Sequence, residues 1–204
     1  MNIIHVIKEK GIAAFCKSIF VSVGFKIGTY YAKLHYLTLD IDIEHTKKRL
    51  DGFNFEVKEL RYEDFLKGNP KEFTAEKLAF IKQRLDDSTY KSYGILEDDY
   101  LIYSTWFSLR KLGLPIEMKK PIYMSEDEGL LEDSYCDPKA RGRGIHSKMN
   151  DFRIMKLHEL GKTRVLALVM HGNTPAFKTQ FKSSFKEEKC FLVGKIFGIP
   201  FCTV

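Results

Sequence analysis

The sequence predicts an α+β fold, a mixed and largely antiparallel central sheet with helices packed on its faces. Three observations carry this. Residues 90–112 read as two aromatic and β-branched strands, YKSYGILED and YLIYSTWFSLRKL, joined through Glu97-Asp98-Asp99 as an antiparallel hairpin. Residues 129–170 then give a strand, GLLEDSYCD, a helix, IHSKMNDFRIMKLHEL, and a buried strand, KTRVLALVM. A last helix opens on TPAFKTQF, with Pro175 at its first position after Thr174, and KCFLVGKIFGIPFCTV supplies one or two closing strands. A meander followed by strand–helix–strand makes a mixed sheet and not an all-parallel, doubly wound one.

Ahead of the hairpin, FNFEVKEL (53–60) alternates apolar and charged residues, as a half-buried strand does. Thr74 is placed to cap a helix that carries Leu78, Ile81 and Leu85 at helical spacing. Charge density rises toward the Asp51-Gly52 turn, which sets a boundary there. The expected organisation is an N-terminal helix and strand appendage over 1–50 and one domain over 51–204.

The 204 residues suffice for one well-cored domain. A net charge of +6 favours anionic partners without choosing among them. Lysines and arginines are scattered, with no recognition-helix or RNP-like pattern, so nucleic acid is not expected. The four cysteines form no CxxC pair and no cluster with histidine, so neither a metal site nor a disulfide framework is expected and a reducing, cytoplasmic setting is the default. Residues 1–33 are apolar and basic, but their lysines interrupt every run well short of the roughly 20 residues of a membrane span. An amphipathic helix there would either cover the domain's own core or make a weak peripheral membrane contact. The sequence is compatible with a monomer or a homodimer.

The stretch Lys139-Ala140-Arg141-Gly142-Arg143-Gly144 stands between a strand and a helix. A helix starting near Ile145 leaves its first N–H groups without partners and carries a partial positive charge at that end. Gly142 and Gly144 lack a Cβ, so an anion can approach the main chain and φ can turn positive. Such a loop suits a phosphate or pyrophosphate, although a solvated turn reads the same way. It is neither GxxxxGK[ST] nor a complete GxGxxG.

LLEDSYCDPKARGRGIHSKM resembles motif A of the GNAT superfamily, the acyl-CoA-dependent N-acetyltransferases, whose pattern is a strand, a turn and [QR]xxGx[GA] opening a helix. Lys139 stands at the Gln/Arg place. Further on, NTPAFKTQFKSSF resembles motif B, NxxAxxFYxKxGF, through Asn173, Ala176, Lys182 and Phe185. The resemblance is specific from Leu130 to Phe185 and extends in element order from Phe53 to the C-terminus.

The resemblance implies a sheet splayed at the strand before the glycine loop, acetyl-CoA as cosubstrate, no metal, and a primary amine acceptor on a small molecule or amino sugar. Backbone groups of Tyr135 and Cys136 would take the pantetheine arm as an added strand. Main-chain N–H groups from Arg141 through Gly142, Arg143, Gly144 and Ile145 to His146 would hold the pyrophosphate. Asn173 would reach the pantetheine arm or simply cap a helix, and Phe177 would line the channel or pack in the core. Glu132 is the expected general base, directly or through a water, with an ion-paired carboxylate as the alternative; His171 is a second candidate. Gln180 replaces a tyrosine that would protonate the leaving thiolate, and Ser184 replaces a glycine. Glutamine cannot act as an acid, but a thiol with a pKa of about 8.5 leaves readily without one. The same departure fits a non-catalytic acyl-CoA-binding module.

Overall fold

The computed structural model describes residues 28–204, so the expected N-terminal amphipathic helix lies largely outside the described residues. The chain opens with strand β1 (Tyr30–Asp40), helix α1 (Ile43–Leu50), the short strand β2 (Lys58–Glu59), and helices α2 (Tyr62–Phe65) and α3 (Ala75–Leu85). Strands β3 (Tyr90–Glu97), β4 (Tyr100–Ser108) and β5 (Glu128–Cys136) follow. After a 3-10 turn at Pro138–Ala140 come α4 (Ile145–Glu159), β6 (Arg164–Met170), α5 (Thr174–Lys182), β7 (Lys186–Ile196) and β8 (Ile199–Cys202).

Two compact units are present. The larger comprises residues 35–113 and 121–189 and carries the strand order β2-β3-β4-β5-β6-β1-β7, to which β1 and β7 contribute 35–40 and 186–189. The β2–β3, β3–β4 and β4–β5 pairs are antiparallel, and β5–β6 is parallel, the crossover being α4. At one end of β1, Ile41 N–H donates to Thr163 O at 2.9 Å, and at the other His35 meets His171, so β1 runs antiparallel to β6. On one face Leu37, Leu131, Val165 and Ala167 pack against Ile154 and Leu157 of α4. On the opposite face Leu101, Trp106 and Tyr135 meet Phe65, Phe73 and Ile81. Burying each of the leucine, isoleucine, valine and phenylalanine side chains among these contributes about 1.5–3 kcal/mol.

Local signals build most of these elements as expected. The β3–β4 hairpin turns at Asp98 and Asp99, with φ of 49° and 62°, in the left-handed pair that matches strand twist. Thr74 Oγ1 caps α3 by accepting from Lys77 N–H at 3.3 Å. Two expectations are corrected. The strand expected over 53–60 is reduced to Lys58–Glu59, because Phe53, Phe55 and Val57 bury themselves against Ile95, Tyr103 and Ile145 through side chains without forming a ladder. Helix α5 is capped by Asn173, and Thr174 is its first residue.

Residues 35–50, assigned by sequence to an appendage, supply β1 and a helix docked on α4. There Arg49 pairs with Asp151, and Lys148 Nζ donates to the carbonyls of Arg49 and Asp51.

Among the described residues, the smaller unit comprises 28–34, 114–120 and 190–204. Its described strands are the start of β1, the end of β7, and β8, which pairs antiparallel with β7 through a turn at Phe197 and Gly198. Gly198 N–H donates to Gly28 O at 2.8 Å, and Gly194 lies so close to β1 that a Cβ there would sit 2.1 Å from Tyr30 O.

Candidate functional site

The site begins where two parallel strands part. β5 and β6 pair in register from Glu128↔Arg164 to Leu131↔Ala167 and no further, although β5 runs on to Cys136 and β6 to Met170. Beyond that point their facing main-chain groups are left to something else. The outer side of β5 stays paired to β4 through Ser104↔Tyr135 and Tyr103↔Cys136. The register slips between Thr105 and Trp106, which makes Asp133 the extra residue of a β-bulge at the point of parting.

Arg153 of α4 holds that bulge. Its buried guanidinium donates through Nη1 to Trp106 O at 3.0 Å and Glu132 O at 2.8 Å, and through Nη2 to Asn150 Oδ1. A guanidinium supplies several donors in one plane and so satisfies two carbonyls that the bulge removes from the ladder.

The split opens onto the glycine loop. Asp137 anchors the loop's start: one carboxylate oxygen accepts from Lys139 N–H at 2.9 Å, and the other from Tyr100 OH at 2.9 Å and Tyr135 OH at 3.0 Å. Those bonds hold its carboxyl below the usual carboxylate range despite the opposing effect of burial. Gly142 and Gly144 have φ of 80° and 74°, and a Cβ on either would meet no atom within 4 Å. Gly144 is the N-cap of α4 and offers no side-chain acceptor. Among the described residues, main-chain N–H groups from Gly142 to Ser147 donate to no protein acceptor. The loop is an open cluster of donors at the positive end of a 15-residue helix.

The three cations expected there behave differently. Lys139 makes no ion pair among the described residues. Arg141 folds back, its Nε donating to Cys136 O at 3.3 Å. Arg143 forms a two-pronged pair with Glu97 at 2.8 and 2.5 Å and lies over the Phe55 ring. Ile145 is buried under the loop. His146 Nδ1 bonds Tyr103 OH at 2.7 Å, and burial, with Arg153 second, pulls its pKa down to about 4, so the ring is neutral. Burial also raises the Cys136 thiol, leaving it protonated at neutral pH.

Glu132 occupies its alternative reading. Its carboxylate is ion-paired with Arg84 of α3, the two side chains being 7% and 11% exposed. Arg84 in turn lies over the rings of Phe80, Tyr90 and Trp106 at 4.6 to 5.2 Å. Glu132 Oε1 is buried without a hydrogen-bond partner, and Gly113 makes room for it.

On α5, Asn173, Phe177 and Gln180 share one helix face by spacing. Asn173 Oδ1 accepts from Ala176 N–H at 3.2 Å as the helix cap. Phe177 packs against the core and edge-on against His35, with ring centroids 4.8 Å apart. Gln180 is 8% exposed, and its Oε1 is buried with no partner. That orphaned acceptor wants an N–H, and the pantetheine arm of coenzyme A carries two amide N–H groups. The residues present therefore fit an acyl-CoA: open amides for phosphate, free strand edges for an extended amide chain, and a buried, unpartnered acceptor on α5.

His171, immediately after β6, is exposed and bonded through Nδ1 to His35 Nε2 at 3.0 Å; His35 Nδ1 meets Glu187 Oε1 at 2.9 Å. Sequence reading missed His35 and Glu187, because no local pattern joins residues 152 positions apart.

No family model matches the sequence, and no curated protein does. Solved structures do match. A chain described as a GNAT-family acetyltransferase from Novosphingobium aromaticivorans aligns over 80% of this chain and 63% of its own, at 12% identity and a TM-score of 0.53. A Staphylococcus epidermidis protein of unknown function aligns over 85% of this chain and 65% of its own, at 9% identity and 0.56. An aminoglycoside 6'-N-acetyltransferase solved with a bisubstrate analogue of CoA aligns over 67% of this chain and 93% of its own, at 15% identity and 0.51. This chain thus spans less than two thirds of the first two of those proteins. The parted parallel strands, the glycine loop and these alignments together identify the fold of this chain as the GNAT acetyltransferase fold.

Proposed function

We propose that the protein transfers an acetyl group from acetyl-CoA to a primary amine of a small molecule or amino sugar. The observation that carries this reading is the parting of β5 and β6 after Leu131↔Ala167 directly onto a loop of open amides at the start of α4. In this reading the amides from Gly142 to Ser147 bind the pyrophosphate and Lys139 adds charge beside them. The free edge of β5 at Tyr135 and Cys136 takes the pantetheine arm, and Gln180 Oε1 accepts one of its N–H groups. Acetyl-CoA supplies the activated thioester. The protein supplies alignment, exclusion of water from the split and a place for the ammonium proton.

The rival reading, an acyl-CoA-binding module without turnover, draws on the pairing of Glu132 with Arg84 and on glutamine at position 180. Mixing the protein with acetyl-CoA and a panel of primary amines, then measuring free thiol, separates the two. Amine-dependent thiol release is expected; acetyl-CoA binding without release across the panel supports the module. Gly142→Val places a branched side chain where the anion would sit, at a φ that L-residues avoid. Acetyl-CoA affinity measured by calorimetry is expected to fall by at least about tenfold, the equivalent of 1.4 kcal/mol. Unchanged affinity would exclude the loop as the pyrophosphate site.

A further inference from the structure

Three neighbouring strands each place one titratable side chain in a single row: Glu187 on β7, His35 on β1, and His171 just past the end of β6. The row ends at the split, since His171 lies four residues beyond Ala167, the last β6 residue paired with β5. His35 is 9% exposed, and the edge of Phe177 fixes its ring.

With both imidazoles neutral, these two bonds order the tautomers. An ionised carboxylate only accepts, so His35 Nδ1 carries the hydrogen toward Glu187. The neutral His35 ring then has a lone pair on Nε2, and His171 Nδ1 must donate to it. The neutral His171 ring is left with its lone pair on Nε2, an atom with no protein partner among the described residues. A carboxylate–imidazole pair that orients a base is a recurring catalytic arrangement, and a second imidazole here extends it.

We infer that His171 Nε2 is the base for the acceptor ammonium, and that His35 and Glu187 are positioning residues that hold its tautomer. The inference rests on the acetyl-transfer reading above. The substrate R–NH3+ gives one proton to His171 Nε2, and the freed amine nitrogen forms a bond to the thioester carbonyl carbon. The C–S bond then breaks, its electron pair leaving with sulfur, and the second nitrogen-bound proton neutralises the thiolate. The products are the amide, free CoA thiol and one proton that His171 returns to solvent, so atoms and charge balance.

The first test needs no variant. Long-range 1H–15N correlation spectra of the full chain report which ring nitrogen carries hydrogen. His171 with Nδ1 protonated and Nε2 bare is expected; the opposite tautomer overturns the relay. The second test is kinetic. His171→Gln removes an exposed side chain, so folding should survive, and a thermal melt checks it. It is expected to lower kcat by about 10²-fold or more while acetyl-CoA affinity by calorimetry stays within about twofold. Glu187→Gln should lower kcat with little change in the amine KM, and Glu187→Asp should recover part of it. Wild-type kcat in His171→Gln, with CoA binding intact, refutes the base assignment. Wild-type protein that binds acetyl-CoA and acetylates no amine removes the transfer reading instead, an outcome visible before any variant is made.

Discussion

His146 illustrates how one partly buried side chain ties the site to the stability of the protein. Its folded pKa of about 4 lies below the 6.5 of a free imidazole. Between those values the unfolded chain binds a proton that the native chain refuses, so stability falls as the pH is lowered through that window. At about pH 5 the loss relative to neutral pH is on the order of 2 kcal/mol. Urea unfolding at the two pH values should show it, and His146→Gln should remove most of the difference. Glu132 teaches a different lesson at the same scale. A glutamate four residues before Cys136 looks like a base until its neighbours are known, and the neighbour is Arg84, 48 residues away in the chain. Gln180, which stands where the resemblance expects a tyrosine, is buried on α5 and presents an unpartnered acceptor.

At the scale of elements, the end of α5 departs from the helix-ending rule and shows the cost of doing so. Phe185 N–H donates to Gln180 O at 3.1 Å and Ser184 N–H to Phe181 O at 3.0 Å, the bonding pattern of a left-handed helix stop. The residue that must turn left-handed is Ser184, with φ of 67°, where glycine is usual. Ser184→Gly relieves that strain, offset in part by the freedom glycine adds to the unfolded chain. A net gain of up to about 1 kcal/mol is expected, or a rise of roughly 2–4 °C in Tm by calorimetry. The glycine loop shows the opposite economy, since Gly142 and Gly144 stand where φ is positive and an open main chain is wanted. Helix α4 then serves both ends of the split: its first turn presents amides with no protein acceptor among the described residues, and Arg153, two turns on, holds the bulge at Asp133.

For the whole molecule, the decisive feature is the place of β1 between β6 and β7. The sequence suggested that a domain could start near residue 51. A chain that starts there lacks β1, so it loses fully buried Leu37, the partly buried Leu39 and Ile41, and the strand bonded to β6. Burial of Leu37 alone contributes about 1.5–3 kcal/mol, a large share of a typical stability of 5–15 kcal/mol. The truncated chain is expected to show no cooperative thermal transition by circular dichroism. A sharp melt near that of the full chain would show that β1 is dispensable. Removing β1 also removes His35, so the same truncation breaks the row of residues that ends at His171.

The sequence by itself determined the order of strands and helices from β3 onward, the hairpin turn, the start of α3 and the glycine loop. Each rests on residues within a few positions of one another: periodicity, a cap, or a glycine at a left-handed turn. Only the tertiary structure decided that Glu132 would face Arg84, that Arg143 would be claimed by Glu97, and that Phe53–Val57 would pack without pairing. It alone placed His35 against both His171 and Glu187, across 136 and 152 positions of chain. Such contacts follow from which strand lies beside which, and strand order is set by burying the whole chain at once. A local pattern carries the conformation of its own segment and holds no record of the segment it will meet.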